Sequence, residues 1–181
     1  MSECDGHRCR ARCRCRSIQR GRPWALPRLV LLTKTIPLGS HELGTWLTEP
    51  PNLGLLICDD IRFPELALLM QQQLGAPVIA CPAAFNTTTG PRHWELVMRA
   101  KAVDTQCFVV ACSTASPHGD DGYPSYGHSL VVDPWGTVLA EAGTGEQVLH
   151  AQLDLAQVAL ARRSIPTGQQ RRHDLYQLTR L

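Results

Sequence analysis

The sequence has few of the features that mark membrane proteins or disordered proteins. No unbroken run of apolar residues approaches the about 18 residues that a membrane-spanning helix needs, so we expect no contact with a membrane. Charged residues make up 19% of the 181 positions and hydrophobic residues 44%, a balance typical of soluble globular proteins. Lysine is scarce, with only Lys34 and Lys101. The length is enough for one domain with a hydrophobic core.

The net charge of +2 is distributed unevenly along the chain. Residues 1–22 contain seven arginines and carry a net charge of +5, whereas the remaining residues carry −3. A nucleic-acid interface needs basic residues gathered on one face of the folded protein. Because the body of the chain is mildly acidic, we expect no nucleic-acid partner.

Residues 1–22 alternate arginine with cysteine and contain hardly any aliphatic side chain, so we expect residues 1–43 to be a disordered or atypical leader. The cysteine spacing C-x4-C-x3-C-x-C lacks the paired C-x2-C of structural zinc sites, and we predict no metal site. A zinc-binding or nucleic-acid-binding module and an organellar targeting peptide remain alternatives. A targeting peptide would contain serines and an apolar face, which this segment lacks.

The cysteines of the body lie in apolar, strand-like segments, where reduced thiols behave as small hydrophobic side chains. Cys81, Cys107 and Cys112 are therefore expected to be core thiols. With no secretory signal in front of them, the sequence favours a reducing, cytoplasmic location, and a mitochondrial location is the alternative.

The pattern of apolar residues after position 52 indicates an α/β fold. Continuous apolar runs predict buried strands, and Pro64 and Gly75 mark the start and the end of a helix. The last third alternates short strands with glycine-containing turns, which indicates an antiparallel meander. We predict strands at 53–58, 77–81, 107–112, 129–133, 137–142 and 148–153, and helices at 64–74, 91–105 and 154–163, the last capped by Asp154.

Several motifs, in this order and spacing, resemble the nitrilase-like carbon–nitrogen hydrolase superfamily, and most closely its omega-amidase branch. The resemblance extends from about residue 44 to 178 and implies the carboxyl-terminal part of a four-layer αββα sandwich with mixed sheets. The matching segments are GLLICDDIRFPEL (54–66), PAAFNTTTG (82–90), HWEL (93–96), RAKAVDTQ (99–106), YGHS (126–129) and DPWG (133–136).

In that superfamily a glutamate, a lysine and a cysteine hydrolyse an amide through a thioester, without a cofactor. The resemblance implies that Cys58 is the nucleophile and that the N–H of Asp59 contributes to the oxyanion hole. It also implies that Asp60 and Arg62 form a charged network that shapes the turn. Asp59 stands where the superfamily often has a tyrosine, so we expect the substrate side of the pocket to be altered.

The superfamily's glutamate and lysine precede the cysteine, and this sequence leaves little room for them. Lys34 lies too close to Cys58 and lacks the companion residues of the lysine motif, and Glu42 and Glu49 are poor replacements for the base. Two hypotheses follow. The chain is an omega-amidase-like hydrolase that releases ammonia from small dicarboxylate monoamides, such as 2-oxo acid ω-amides. Alternatively it is a catalytically inactive partial domain, acting in subunit pairing or as a non-functional isoform.

Other motif residues are expected to line or support the site. Loops that follow the carboxyl ends of strands commonly carry ligands, which favours Phe85, Asn86 and Thr88 as pocket residues for a small amide. Glu95 is expected to tie its helix to a neighbour and so support the site. His128 is expected to be structural, since the superfamily uses no catalytic histidine. A homodimer, or pairing with a full-length homologue, is the expected form of assembly.

Overall fold

The computed structural model describes residues 45–46, 53–114 and 124–179. The predictions for the leader at 1–43, and for Lys34, Glu42 and Glu49, lie outside the described residues. Within those ranges no helix has the length and apolar character needed to cross a bilayer.

The described residues form a mixed six-stranded sheet with three α-helices. The strands follow the order of the chain, and the second, third and fourth strands are parallel, whereas the other neighbouring pairs are antiparallel. The predicted α/β class is therefore correct. The elements are β1 (Thr45–Trp46), β2 (Leu53–Leu55), a 3-10 helix (Cys58–Arg62), α1 (Pro64–Leu74), β3 (Val78–Ala83), α2 (Gly90–Thr105), β4 (Phe108–Ser113), β5 (Leu130–Val132), β6 (Val138–Glu141) and α3 (Ala156–Ser164).

Local sequence explains the ends of the helices. Pro64 occupies the first turn of α1, where its missing N–H has no helical partner to lose. Gly75 ends α1 in the left-handed conformation (φ 64°), which glycine adopts without a side-chain clash. Gln106 ends α2 in the same conformation (φ 52°), and its amide nitrogen donates to the carbonyls of Ala161 and Ile165. The end of α2 is thereby joined to the end of α3.

Two hydrophobic cores lie on opposite faces of the sheet. The larger core packs the side chains of α1 and α2, including Met70, Trp94 and Met98, against Ile79 and Val109 of the sheet. The smaller core packs Val158 of α3 and the segment before it on the other face. Alternating side chains of each buried strand therefore enter different cores, which is why β3 and β4 read as continuous apolar runs.

The structure corrects two predicted boundaries and one predicted strand. The first predicted strand, β2, ends at Leu55 instead of residue 58, because the chain turns into the 3-10 helix. Residues 148–153 form no strand, and the side chain of Val148 is 73% exposed. The last helix begins at Ala156 instead of residue 154, although the Asp154 carboxylate still accepts a hydrogen bond from the Ala156 N–H at 3.1 Å.

Candidate active site

Cys58 occupies a sharp turn at the carboxyl end of β2. The Leu56 N–H donates to the Ala80 carbonyl at 2.9 Å, which keeps the chain beside β3 up to the turn. Cys58 then adopts a φ of 52°, a conformation that costs free energy for any residue with a Cβ atom. Its side chain is half-buried and its thiol is free. The turn therefore presents a partly accessible thiol on a backbone that the surrounding structure holds in place.

Asp60 and Arg62, which were expected to form a charged network, make separate contacts at this turn. The Asp60 carboxylate accepts the Ile57 N–H at 2.9 Å and closes the turn. Arg62 pairs with Asp59 instead of Asp60, with 2.8 Å between Nε and Oδ1. The reason is local: the carboxylate of Asp60 faces back toward the start of the 3-10 helix, whereas that of Asp59 lies beside the guanidinium.

Arg62 also connects the turn at Cys58 to the loop after β3 and to the start of α2. Its Nη1 lies 3.3 Å from Nδ1 of His93, and its guanidinium carbon lies 4.5 Å from the centre of the Phe85 ring. A guanidinium only donates hydrogen bonds, so Nδ1 of His93 accepts and the ring proton is on Nε2. A cation over an aromatic face adds a further attraction. Arg62 thereby holds together the turn, the start of α2 and the loop after β3.

Cys81 lies directly behind the turn at Cys58. Its side chain is fully buried, and burial raises the pKa of the Cys81 thiol to about 12, with further increases from the nearby Cys58 and Asp60. A hydrogen bond from the Cys58 backbone acts in the opposite direction. Cys81 is therefore a neutral thiol at physiological pH, as predicted for a core cysteine.

The loop at residues 85–90, here called the pocket loop, follows β3. The Asn86 side-chain oxygen accepts hydrogen bonds from the N–H groups of Thr88 and Thr89 at 3.0 and 2.8 Å, and its carbonyl accepts the Gly90 N–H at 2.7 Å. Phe85 is buried and packs edge-to-face on Trp94, with 5.1 Å between ring centres. Phe85 and Asn86 thus shape the loop from within, while the Thr88 side chain is exposed.

Glu95 lies on the solvent side of α2. Its carboxylate pairs with Arg99 one turn later at 3.1 Å, and Arg99 Nε donates to the Gly136 carbonyl at 2.8 Å. Through Arg99, Glu95 supports the turn between β5 and β6. The contacts of Glu95 do not extend to Cys58, and its predicted support of the site stays a prediction.

A second loop, at residues 124–129, packs on the pocket loop. The Tyr126 N–H donates to the Phe85 carbonyl at 2.8 Å, and the ring of His128 stacks on the Tyr126 ring. Sequence reasoning assigned His128 a structural role without finding this contact. The YGHS motif contained the signal of a tight turn in Gly127 (φ 74°), but the left-handed conformation of His128 (φ 59°) has no counterpart in the sequence pattern.

Within residues 53–114 and 124–179, no glutamate or lysine is hydrogen-bonded to the Cys58 thiol. Lys101 is buried in α2, with the Asp104 carboxylate 4.0 Å from its ammonium group. The same part of the chain contains no group of three histidine, cysteine or acidic residues that could hold a metal ion. In this part of the chain, Cys58 is therefore a partly accessible thiol with no bonded glutamate or lysine.

A profile of the family described as carbon-nitrogen hydrolase matches residues 26–163. The chain belongs to the carbon-nitrogen hydrolase family. The match begins before residue 44, the predicted start of the domain, and that boundary stays a prediction.

Curated members of this family are close in sequence. The chain is 48% identical over 146 residues to "Omega-amidase NIT2" of Mus musculus, covering 80% of this chain and 51% of that protein. It is 46% identical over 129 residues to "Deaminated glutathione amidase" of Homo sapiens, covering 71% of this chain and 39% of that protein. The chain thus spans about half the length, or less, of the curated relatives it matches.

The fold agrees with that of a solved family member. Nit3 of Saccharomyces cerevisiae, a member of branch 10 of the nitrilase superfamily, aligns with a TM-score of 0.68 and 43% sequence identity, over 74% of this chain and 48% of Nit3. The predicted resemblance to the nitrilase superfamily is confirmed, and the described residues form part of a nitrilase-type α/β domain.

Proposed function

We propose that this chain provides the nucleophile side of an amidase site that cleaves the terminal amide of small dicarboxylate monoamides, including 2-oxo acid ω-amides. The observation that carries the proposal is the position of Cys58. A half-buried thiol stands on a positive-φ turn, at the carboxyl end of a central parallel strand and next to the strand that leads into the pocket loop. Strained backbone that the fold maintains is common at functional sites.

The chemistry of the proposal is acyl transfer to sulfur. The Cys58 thiolate attacks the amide carbon, a C–S bond forms, and the carbonyl electron pair moves onto oxygen. The C–N bond then breaks, and nitrogen leaves as ammonia after receiving the proton that the thiol gave up. Water next attacks the thioester, which releases the dicarboxylate and restores the thiol. The net reaction consumes one water per amide.

Each step needs groups around the sulfur. The first N–H groups of a helical turn have no acceptor within the turn, which makes the Asp59 N–H a candidate donor to the oxyanion. No base is bonded to Cys58 within residues 53–114 and 124–179, so the base that takes its proton, a glutamate by the resemblance, belongs to the remaining residues of this chain. The resemblance likewise gives a lysine the second oxyanion contact.

The substrate class rests on the relatives and on charge. Both curated relatives named above are amidases by name. The Arg62 guanidinium lies over the ring of Phe85 at the start of the pocket loop. The side chain of Asp59, its ion-pair partner, is 77% exposed. An ion pair with such an exposed partner is weak. A carboxylate at the end of the substrate away from the amide could therefore replace Asp59 on the guanidinium.

We propose the cytoplasm as the location, since buried free thiols suit a reducing compartment.

The test is ammonia release from succinamate by the purified chain. We expect turnover in the wild type and in Cys112→Ser, which changes a half-buried thiol on β4, and no turnover in Cys58→Ser. Mass spectrometry of the quenched reaction should show a succinyl thioester on Cys58. Equal rates in the wild type and Cys58→Ser would rule out the proposed nucleophile.

A second candidate function is an inactive partial domain that pairs with a complete family member. The observation that favours it is the lack of a glutamate or lysine bonded to Cys58 among the described residues. This hypothesis predicts no ammonia release from the chain alone and co-elution with full-length mouse omega-amidase NIT2 in size-exclusion chromatography. Ammonia release by the isolated chain would exclude it.

A further inference from the structure

We propose that His128 is a positioning residue that, through Tyr126, fixes the conformation of the pocket loop and so sets the binding of the amide substrate. Its consequence for catalysis rests on the proposed function, whereas its effect on the loop does not. No motif argument assigns this role, because it depends on contacts between three separate segments of the chain.

The conformation of His128 is held by four contacts. Its Nδ1 lies 2.7 Å from the Tyr126 carbonyl, and since a carbonyl only accepts, Nδ1 carries the proton and donates. The two rings are stacked, with 4.0 Å between centres and an angle of 16° between planes. The His128 N–H donates to the Gly143 carbonyl at 3.1 Å, and its own carbonyl accepts the indole N–H of Trp94.

Tyr126 passes this constraint to the pocket loop. Its N–H donates to the Phe85 carbonyl at 2.8 Å, and the neighbouring Ser125 forms a β-bridge with Asn86. At the other end of the loop, a Cβ atom placed on Gly90 would lie 2.2 Å from Cγ of Tyr126. The tyrosine therefore contacts both ends of the pocket loop, and Gly90 leaves the room that its ring needs.

The backbone of His128 argues for a positioning role over simple packing. In the described part of the chain, three residues other than glycine have a positive φ: Cys58, Gln106 and His128. Cys58 is the proposed nucleophile, and Gln106 joins α2 to α3. Such a conformation persists where the surrounding contacts stabilise it. The contacts of His128 are with Tyr126, Trp94 and Gly143. Tyr126 in turn contacts Phe85 and Gly90 at the two ends of the pocket loop, and Trp94 packs on the ring of Phe85.

The first test measures amide hydrogen exchange of residues 88–90 in the full chain. His128→Gly keeps the backbone conformation accessible but removes the ring, so we expect exchange of these amides to rise about tenfold, with the amides of β4 unchanged. The matched control is Gln106→Gly, which changes the same backbone conformation elsewhere and should leave residues 88–90 unchanged. No increase in His128→Gly, or an equal increase in β4, would overturn the proposal.

A second variant covers the case in which His128→Gly does not fold. Gly90→Ala places a methyl group against the Tyr126 ring and should give the same local rise in exchange at residues 88–90. Gly168→Ala is its control, because a Cβ atom there meets nothing within 4 Å. Equal exchange at residues 88–90 in the two alanine variants would contradict the role of Tyr126.

The catalytic consequence is measured separately with succinamate. A positioning role predicts that KM rises about fivefold in His128→Gly while kcat changes less than about twofold, since the chemistry at Cys58 is untouched. An unchanged KM would overturn the effect on substrate binding. If the wild type releases no ammonia, the proposed function fails, and the exchange experiment alone decides the role of His128.

Discussion

Two neighbouring cysteines, Cys58 after the end of β2 and Cys81 within β3, differ in their chemistry because of where their sulfur atoms lie. Cys58 stands half-buried on a turn with positive φ, whereas Cys81 is fully buried behind it. Burial raises the pKa of Cys81 to about 12, and electrostatic interaction with the neighbouring Cys58 and Asp60 adds to the effect. The thiolate is the reactive form of cysteine, so Cys81 does not compete at neutral pH with Cys58, the proposed nucleophile.

The pKa of Cys81 predicts how stability depends on alkaline pH. The thiol binds its proton more tightly in the folded state, so its contribution is complete below its ordinary pKa of 9.0 and is lost as pH rises toward about 12. We expect the free energy of unfolding to fall over this range, and to fall less steeply in Cys81→Ala by up to about 1 kcal/mol per pH unit.

Urea denaturation between pH 7 and pH 11 measures this dependence. The pKa values of Cys107 and Cys112 are also raised by burial, so the variant should keep part of the alkaline decline. The values at pH 7 serve as the control for the loss of packing, which is independent of pH. Parallel curves for the wild type and Cys81→Ala would show that Cys81 has an ordinary pKa.

The side chain of Asn86 holds the conformation of the pocket loop. The Asn86 side-chain oxygen accepts three hydrogen bonds, from the N–H groups of Thr88 and Thr89 and from the Thr89 hydroxyl. Such local bonds replace those that a strand or helix would supply. They bring the chain directly from β3 into α2, and so place Phe85 against both Trp94 and Arg62.

Replacement of Asn86 should therefore lower the free energy of unfolding most when the new side chain lacks an oxygen that accepts these hydrogen bonds. We expect Asn86→Ala to lower the free energy of unfolding by about 1–3 kcal/mol, because three donors lose their partner. Asn86→Asp keeps the acceptor and should cost less. Thr87→Ala, at an exposed neighbouring position, is the control with no change expected. Urea denaturation of the three variants gives the comparison, and equal losses in Asn86→Ala and Asn86→Asp would contradict the acceptor role.

At the scale of the whole molecule, one sheet separates two hydrophobic cores. Met98 belongs to the core under α1 and α2, and Val158 to the core under α3. Adjacent residues of β4, such as Val109 and Val110, enter opposite cores. Because the two cores share the same strands, loss of packing in one core also destabilises the other core.

This arrangement predicts a single cooperative unfolding transition. Met98→Ala should lower the free energy of unfolding by about 2–5 kcal/mol. Val158→Ala should lower it by about 1–2 kcal/mol, since it deletes less apolar surface. In both variants the transitions followed by circular dichroism and by tryptophan fluorescence should coincide. Leu96→Ala, at a side chain that is 65% exposed, should change little. Separate transitions for the two probes would show that the cores unfold independently.

The sequence by itself determined the elements whose signals are local. Apolar runs located β3 and β4, Pro64 and Gly75 marked the ends of α1, and the order and spacing of the motifs identified the superfamily. The strand predicted at 148–153 was wrong, because alternation of side chains cannot say whether a partner strand lies beside it.

Only the tertiary structure decided which distant side chains meet. Arg62 is 31 positions from His93, and Trp94 is 34 positions from His128, yet hydrogen bonds join both pairs. The burial of Cys81 behind the turn at Cys58 and the packing of Tyr126 on Phe85 and Gly90 depend likewise on how the turn and the loops meet. Propensity and periodicity act over a few residues, whereas these contacts arise from packing that brings separate segments together.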